Sequence, residues 1–226
     1  MSEFDGKVVV VTGAAGALGS AVVSWFADQG GRIAQLDVVE LDNGHYSATP
    51  DLTDAEACRA AIRAICKELG PIHVLANIAG GFAMGETVHE TKAATWDFLM
   101  GLNAHTVLNM ARAVVPLMLE HGGGKIVNVG AGPGQRGVGQ MGAYSASKSV
   151  VIRLTEAMAD ELKEKGINVN CVLPSIIDTE RNRADMPDAD FSRWVTPEAM
   201  ARVIGFLASE AASPIHGAAL PVTGLS

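Results

Sequence analysis

Tyr144 and Lys148, in the run Gly142-Ala143-Tyr144-Ser145-Ala146-Ser147-Lys148, stand four residues apart. On a helix, positions i and i+4 share a face, so a phenol and an ammonium can enter one cleft. A free tyrosine has a pKa of about 10, and a positive charge within about 4–6 Å favours its phenolate by roughly one to three units. Such a group can exchange protons near neutral pH, as general acid–base catalysis requires. Taken alone, the pair reads first as an ordinary helix-surface pair, so its meaning depends on its surroundings. Thirteen residues upstream of Tyr144 stands Ala131, within Val129-Gly130-Ala131-Gly132-Pro133-Gly134, a stretch without any side-chain hydroxyl.

A second set of residues reads as a place for phosphates. Val8-Val9-Val10-Val11 runs into Thr12-Gly13-Ala14-Ala15-Gly16-Ala17-Leu18-Gly19, a strand, a glycine turn and the start of a helix. Glycines let the backbone turn tightly and approach a pyrophosphate, whose charge the helix N-terminus stabilises. Such turns also serve packing alone, and Asp37 is what raises the value of this one. It closes the next strand about twenty residues on, where a carboxylate accepts hydrogen bonds from adenosine ribose hydroxyls and repels a 2′-phosphate. That reading selects NAD over NADP, with Gly13, Ala15, Gly16, Ala17 and Leu18 as cofactor-binding positions. The other role open to Asp37 is a strand-end acid or helix cap. Asp51-Leu52 either faces the adenine or begins the turn into the next helix. Asn77-Ile78-Ala79-Gly80-Gly81 ends a further strand with small residues, which either let a cofactor lie against the backbone or make a plain turn.

The elements that must hold these groups follow from hydrophobic periodicity. Short apolar runs rich in Val and Ile alternate with longer stretches of helical period, the signature of repeated βαβ units around a parallel sheet. Strands are expected over 7–12, 32–37, 45–48, 72–77, 125–129, 168–173 and 219–222, and helices over 17–29, 54–69, 92–120, 143–165 and 197–209. The expected architecture is a single α/β domain of three layers with a doubly wound parallel sheet. Every candidate functional residue falls at or after the carboxyl end of a strand, where ligands bind in open sheets of this kind.

Composition narrows the partners. The chain has 226 residues, 48% hydrophobic but only 5% aromatic, with 25 glycines, which suits one domain whose strands are buried on both faces. A net charge of −8 argues against nucleic-acid and anionic-membrane partners. Cys58, Cys66 and Cys171 are too few and too scattered for a disulfide framework or a zinc site, so reduced thiols and a cytoplasmic setting are expected. The uncharged stretch from Val8 to Ala27 is long enough to span a bilayer, yet Thr12, Gly13, Gly16 and Gly19 break it. A buried strand entering a helix through a glycine turn explains it better. His73 and His105 lack metal-ligand spacing, and no metal is expected.

In order and spacing, 12–19, Asp37, Asn77-Ile78-Ala79-Gly80, Asn103, Tyr144 with Lys148, and Pro174 with Thr179 resemble the short-chain dehydrogenase/reductase family, and the resemblance covers essentially the whole chain. It implies a Rossmann-type sheet, a nicotinamide cofactor and hydride transfer to or from a small molecule, with Tyr144 donating or accepting the proton. By the same resemblance Lys148 lowers the tyrosine pKa and binds the nicotinamide ribose. Asn103 helps hold a water relay, and Pro174, Ile177 and Thr179 lie along the cofactor. A homodimer or homotetramer is implied. Three departures accompany these likenesses: Ala17 stands where the middle glycine often sits, Ile78 replaces a commonly polar residue, and Ala131 occupies the place of the serine that hydrogen-bonds the substrate carbonyl. Loss of one such donor costs about 10²–10³ in rate.

A narrower likeness addresses that loss. Gly16-Ala17-Leu18-Gly19-Ser20, Asp37-Val38-Val39-Glu40, Ala79-Gly80-Gly81 and the stretch from Asp178 to Trp194 are similar to the quinonoid dihydropteridine reductase branch, which lacks the serine and prefers NADH. The expectation is therefore hydride transfer from NADH to an activated planar ring such as a quinonoid dihydropterin, with Phe82, Ala131 and Met186 near the substrate. The alternatives are a hydroxyl or carbonyl substrate, and a catalytically silent NAD-binding regulatory protein. The segment after the sixth strand is either a substrate-covering lid or a surface loop packed by Phe191 and Trp194, and His89 and Met84 lie in a loop near the cleft.

Overall fold

The computed structural model describes residues 2–226. Val8–Thr12 forms β1, buried along its whole length. Because side chains alternate across the pleat, Val9 and Val11 enter one core cluster while Val8 and Val10 enter another. The strand is dry on both faces, which is why its sequence shows no polar alternation. The remaining strands are β2 (Arg32–Leu36), β3 (Tyr46–Ala48), β4 (Ile72–Asn77), β5 (Gly124–Val129), β6 (Ile167–Pro174) and β7 (Ala219–Val222). They pair in parallel in the order β3-β2-β1-β4-β5-β6-β7. On one face lie α1 (Ala17–Asp28) and α7 (Pro197–Leu207); on the other lie α2 (Ala55–Leu69), α4 (Thr106–Glu120) and α5 (Gly142–Leu162). The result is the expected single-domain, three-layer Rossmann-type fold. Chain order reverses at β1, with β2 on one side and β4 on the other, so a crevice opens beyond their carboxyl ends.

The contact of α1 with α7 is unusually close. Gly205 lies flat beneath the Trp25 ring, and a Cβ there would sit 2.2 Å from it. Trp25 in turn packs edge-on against Phe4 and Phe26. Cys58 and Cys171 are buried and Cys66 is partly buried, all three as free thiols. Among the described residues, no helix is long and apolar enough to cross a membrane and no cluster of three potential ligands could hold a metal ion.

Two helices differ from expectation. The single helix expected over 92–120 is α3 (Ala93–Leu99), a π-helical segment Met100–His105, and α4 in continuous succession. The wider π turn is invisible to a 3.6-residue periodicity, and such turns occur often at functional sites. Beyond β6, a short helix α6 (Glu180–Asp185) stands where no regular element was assigned.

Candidate active site

At the carboxyl end of β1 the chain turns at Gly13, whose φ of 65° is left-handed. A Cβ at Gly13 would lie 2.9 Å from the Ala79 backbone, and one at Gly19 would lie 2.0 Å from the Gly13 carbonyl oxygen. The turn is thus clamped between the loop after β4 and the first turn of α1. Thr12 completes the clamp: its Oγ1 accepts from the N–H groups of Ile78 (3.0 Å) and Ala79 (3.1 Å). Ala15, Gly16 and Ala17 form the exposed crest of the turn, whereas the Leu18 side chain is buried in the core beneath α1. Gly16 caps α1 without a side-chain oxygen, and the first turn contains no acid. The first-turn amides of α1 thus meet no acid from the helix itself, which suits a pyrophosphate.

Asp37 stands one residue past β2. Its Oδ2 accepts from the Ala15 N–H at 2.9 Å and its Oδ1 from the Val39 N–H at 3.2 Å. The carboxylate therefore ties down the glycine turn from the edge of the crevice. These residues together fit an adenine dinucleotide.

At three other positions expected near the nucleotide, the side chain or main chain is engaged within the fold. Asn77 turns its side chain into the core: its Nδ2 donates to Asn128 Oδ1 (2.8 Å), whose Nδ2 donates to Thr155 Oγ1 (2.9 Å). This buried chain joins β4, β5 and α5, because an amide between two central strands must find partners without water. Asp51 bonds the N–H (2.8 Å) and hydroxyl (2.7 Å) of Thr53, the turn-forming alternative, and these bonds hold its carboxyl below the usual range. Leu52 is buried, and its carbonyl accepts from Asn109 at 3.1 Å.

The proton-transfer candidates converge at the other side of the crevice. From the π-helical turn, Asn103 Oδ1 accepts from Gly81 N–H (2.9 Å), while its Nδ2 donates to Gly81 carbonyl oxygen (3.0 Å) and Ser147 Oγ (2.9 Å). Ser147 Oγ donates to the Tyr144 carbonyl at 2.8 Å, linking this network to α5. Lys148 is buried, with Nζ donating to the Val129 carbonyl at 2.9 Å. Gly80 makes room between Asn103 and Lys148: a Cβ there would lie 2.8 Å from Asn103 Oδ1 and 3.2 Å from Lys148 Nζ. Phe82 meets Tyr144 edge-on, ring centroids 4.9 Å apart, yet stays 52% exposed. Gly81, Val129 and Ser147 escape motif reading because two contribute only backbone and the third is an ordinary serine one residue before the lysine.

Burial governs the electrostatics. It pushes the Tyr144 phenol up to about 12 and the Lys148 ammonium down to about 8, since a low-dielectric site disfavours the charged form of each. The expectation that Lys148 depresses the tyrosine is not met; burial alone sets the direction of the Tyr144 shift. Ala131 is buried in extended backbone before a tight turn over Gly132–Gly134, which is held to α5 where Ser149 Oγ donates to the Gly134 carbonyl (2.6 Å). No hydroxyl enters at this point of the loop.

The segment after β6 is secured by its own contacts. Pro174 ends β6, and Ile177 pairs with Val195. Thr179 uses its hydroxyl to cap α6, accepting from Asn182 N–H at 3.2 Å, so that oxygen is engaged at the helix start. Arg183 grips Asp178 with two bonds of 2.6 and 2.7 Å and lies 4.9 Å from the Phe191 ring, which leans on Trp194. Met186, at the end of α6, is half-buried. Phe191 and Trp194 thus pack against each other within this segment.

A family model described as short chain dehydrogenase matches residues 7–190. The chain belongs to that family. As a short-chain dehydrogenase it is an oxidoreductase, and relatives align along its whole length. D-threitol dehydrogenase of Mycolicibacterium smegmatis is 35% identical, covering 98% of this chain and 93% of that protein. The 3-oxoacyl-[acyl-carrier-protein] reductase of Vibrio cholerae is 30% identical, covering 98% of each. Among solved structures, carveol dehydrogenase from Mycobacterium avium in complex with NAD superposes with a TM-score of 0.89 at 25% identity, covering 99% of this chain and 98% of that one. Levodione reductase superposes with a TM-score of 0.91 at 25% identity, covering 98% of each. The narrower likeness to dihydropteridine reductase finds no support among these relatives.

Proposed function

We propose that this chain is an NAD(H)-dependent dehydrogenase/reductase of a small hydroxyl- or carbonyl-bearing molecule, with Tyr144 exchanging the proton at the substrate oxygen. The observation that carries this reading is the convergence of Asn103, Ser147 and Lys148 around Tyr144 at the carboxyl end of a parallel sheet. The bound cofactor supplies or accepts the hydride. With its phenol pushed up to about 12, Tyr144 keeps its proton at neutral pH and can give it to a developing alkoxide. Lys148, brought down to about 8, can pass a proton and binds the nicotinamide ribose. Asn103 is a positioning residue that fixes the Gly81 backbone and, through Ser147, the start of α5. Asp37 reads the adenosine ribose and disfavours a 2′-phosphate. The turn at Gly13, Ala15, Gly16 and Ala17 receives the pyrophosphate.

The alcohol and ketone chemistry named for the relatives favours a hydroxyl/carbonyl pair as the reacting group. Phe82 beside Tyr144, with Met84 and Val88 also exposed on the loop after β4, favours a substrate with an apolar or ring portion over a bare polyol. A second reading, an activated planar ring such as a quinonoid dihydropterin, is favoured by Ala131, because an electron-poor acceptor needs little polarisation. Exposed Trp96 and Phe98 on α3 support assembly as a dimer or tetramer.

The deciding experiment measures NADH oxidation with cyclic ketones, and NAD reduction with cyclic alcohols and polyols, beside a quinonoid dihydropterin. Turnover of cyclic alcohols or ketones is the expected outcome. Turnover confined to the pterin would transfer the reading to the second alternative, and NADH binding without any turnover would sink both.

A further inference from the structure

The end of the sheet opposite the crevice carries a depression of about 490 Å³ among the amino ends of β1, β4, β5 and β6. Lys7, Lys125, Lys163, His73, His121 and His216 line it, against the single carboxylate of Glu210. In a chain of net charge −8, basic side chains outnumber acids along this lining. The lining is organised. Lys125 Nζ donates to Asn168 Oδ1 at 2.7 Å and stands 3.6 Å from Glu210. Val8 N–H donates to His73 Nδ1 at 3.0 Å, which leaves His73 Nε2 as the ring's remaining donor. Burial disfavours a charge on His73, with Lys7 and His121 adding to that effect against the Pro71 carbonyl. Lys7 is bound to no carboxylate, its ammonium resting 5.7 Å from the Phe4 ring centroid. Two acids border the depression from outside: Glu3 accepts from the Glu210 N–H, and Asp160 holds Lys163 in an exposed i,i+3 pair of the kind worth little in water. Because no three ligands converge on a metal position among the described residues, a cation is not what the histidines hold.

We propose that this depression binds a small multivalent oxyanion of the phosphate type, gripped by Lys7, Lys163, His73 and His121 and bordered by the glycine turn Gly122-Gly123-Gly124. Lysine supplies point charge and the imidazoles supply oriented N–H donors, a combination that neutralises a dianion without a helix N-terminus. The volume exceeds what one phosphate fills, so a diphosphate or a phosphorylated small molecule suits it better.

The test is a titration of inorganic pyrophosphate into the ¹⁵N-labelled full chain, at ionic strength held constant with sodium chloride. Saturable amide shifts centred on Gly122, Gly123, Gly124 and Gly166 are expected, and Lys7→Ala and His121→Ala should each weaken binding by at least about tenfold while leaving dehydrogenase activity unchanged. Shifts centred instead on Gly13 and Gly16 would assign the anion to the nucleotide turn and overturn the proposal. So would the absence of saturable binding, or equal affinity in the two variants. Should a variant fail to fold, the shift pattern of the unsubstituted protein still decides.

Discussion

At the glycine turn the closest contacts are backbone against backbone, Gly13 against Ala79 and Gly19 against the Gly13 carbonyl, tied down by Thr12 Oγ1 and the Asp37 carboxylate. Around Tyr144 they are side chains reaching from separate elements, with Asn103 from the π turn, Ser147 and Lys148 from α5, and the Val129 carbonyl from the end of β5. The difference teaches where each half is fragile. The nucleotide half tolerates changes of side-chain chemistry and fails when a methyl group is added. The catalytic half, packed as closely around Gly80, depends in addition on its donors.

Tyr144→Phe should make the largest difference, lowering kcat by about 10²–10⁴ while NADH still binds. Steady-state rates with fluorescence titration of NADH check this, and retention of most activity would mean that the substrate takes its proton from water.

Lys148 makes a prediction about stability. Its pKa falls from 10.5 in the unfolded chain to about 8 in the folded one, so the unfolded state binds more protons between those pH values. Stability from this group therefore rises with pH across that window, and its full cost, about 3 kcal/mol, applies below pH 8. Tyr144 acts oppositely from pH 10 to about 12, and Cys58 and Cys171 act oppositely from pH 9 to about 11, because burial raises all three. Denaturant unfolding of wild type beside Lys148→Met isolates the lysine. The variant should gain stability at pH 7, and the gap should close by pH 10.5; a gap independent of pH would show that the ammonium is solvated.

Gly19→Ala should break the other half. Its Cβ would lie 2.0 Å from the Gly13 oxygen, an overlap that forces the turn to move. A loss of about 1–3 kcal/mol of stability is expected, together with weakened NADH binding. Calorimetry that found wild-type Tm and affinity would show that the turn is not clamped. The smallest effect is expected at Asp37→Ala, where about a tenfold loss of preference for NADH over NADPH, near 1.4 kcal/mol, should appear in kcat/KM ratios. An unchanged ratio would mean that Asp37 serves only its bond to Ala15.

Local pattern carried much of this. The continuous valine run of β1, the glycine turn behind it and the helical spacing of Tyr144 and Lys148 are short-range features, and each is found where the local pattern implies. The side-chain role of Asn77 is not local: its partner Asn128 lies 51 positions along the chain, and Asn128 in turn meets Thr155, 27 positions further on. Asn103 was recognised by resemblance, but the π turn that carries it leaves no trace in a hydrophobic pattern. Thr179 had a helix-capping role that became visible only once α6 was present.

By itself the sequence determined the alternation of strand and helix, the crevice-end location of the candidate residues, and the absence of a hydroxyl at Ala131, because these depend on side-chain period and identity. Tertiary structure alone decided how charge is distributed over the pair. Four residues of spacing bring a phenol and an ammonium to one helix face, but the depth at which β5 and the β4 loop enclose them determines that desolvation, rather than mutual attraction, governs both.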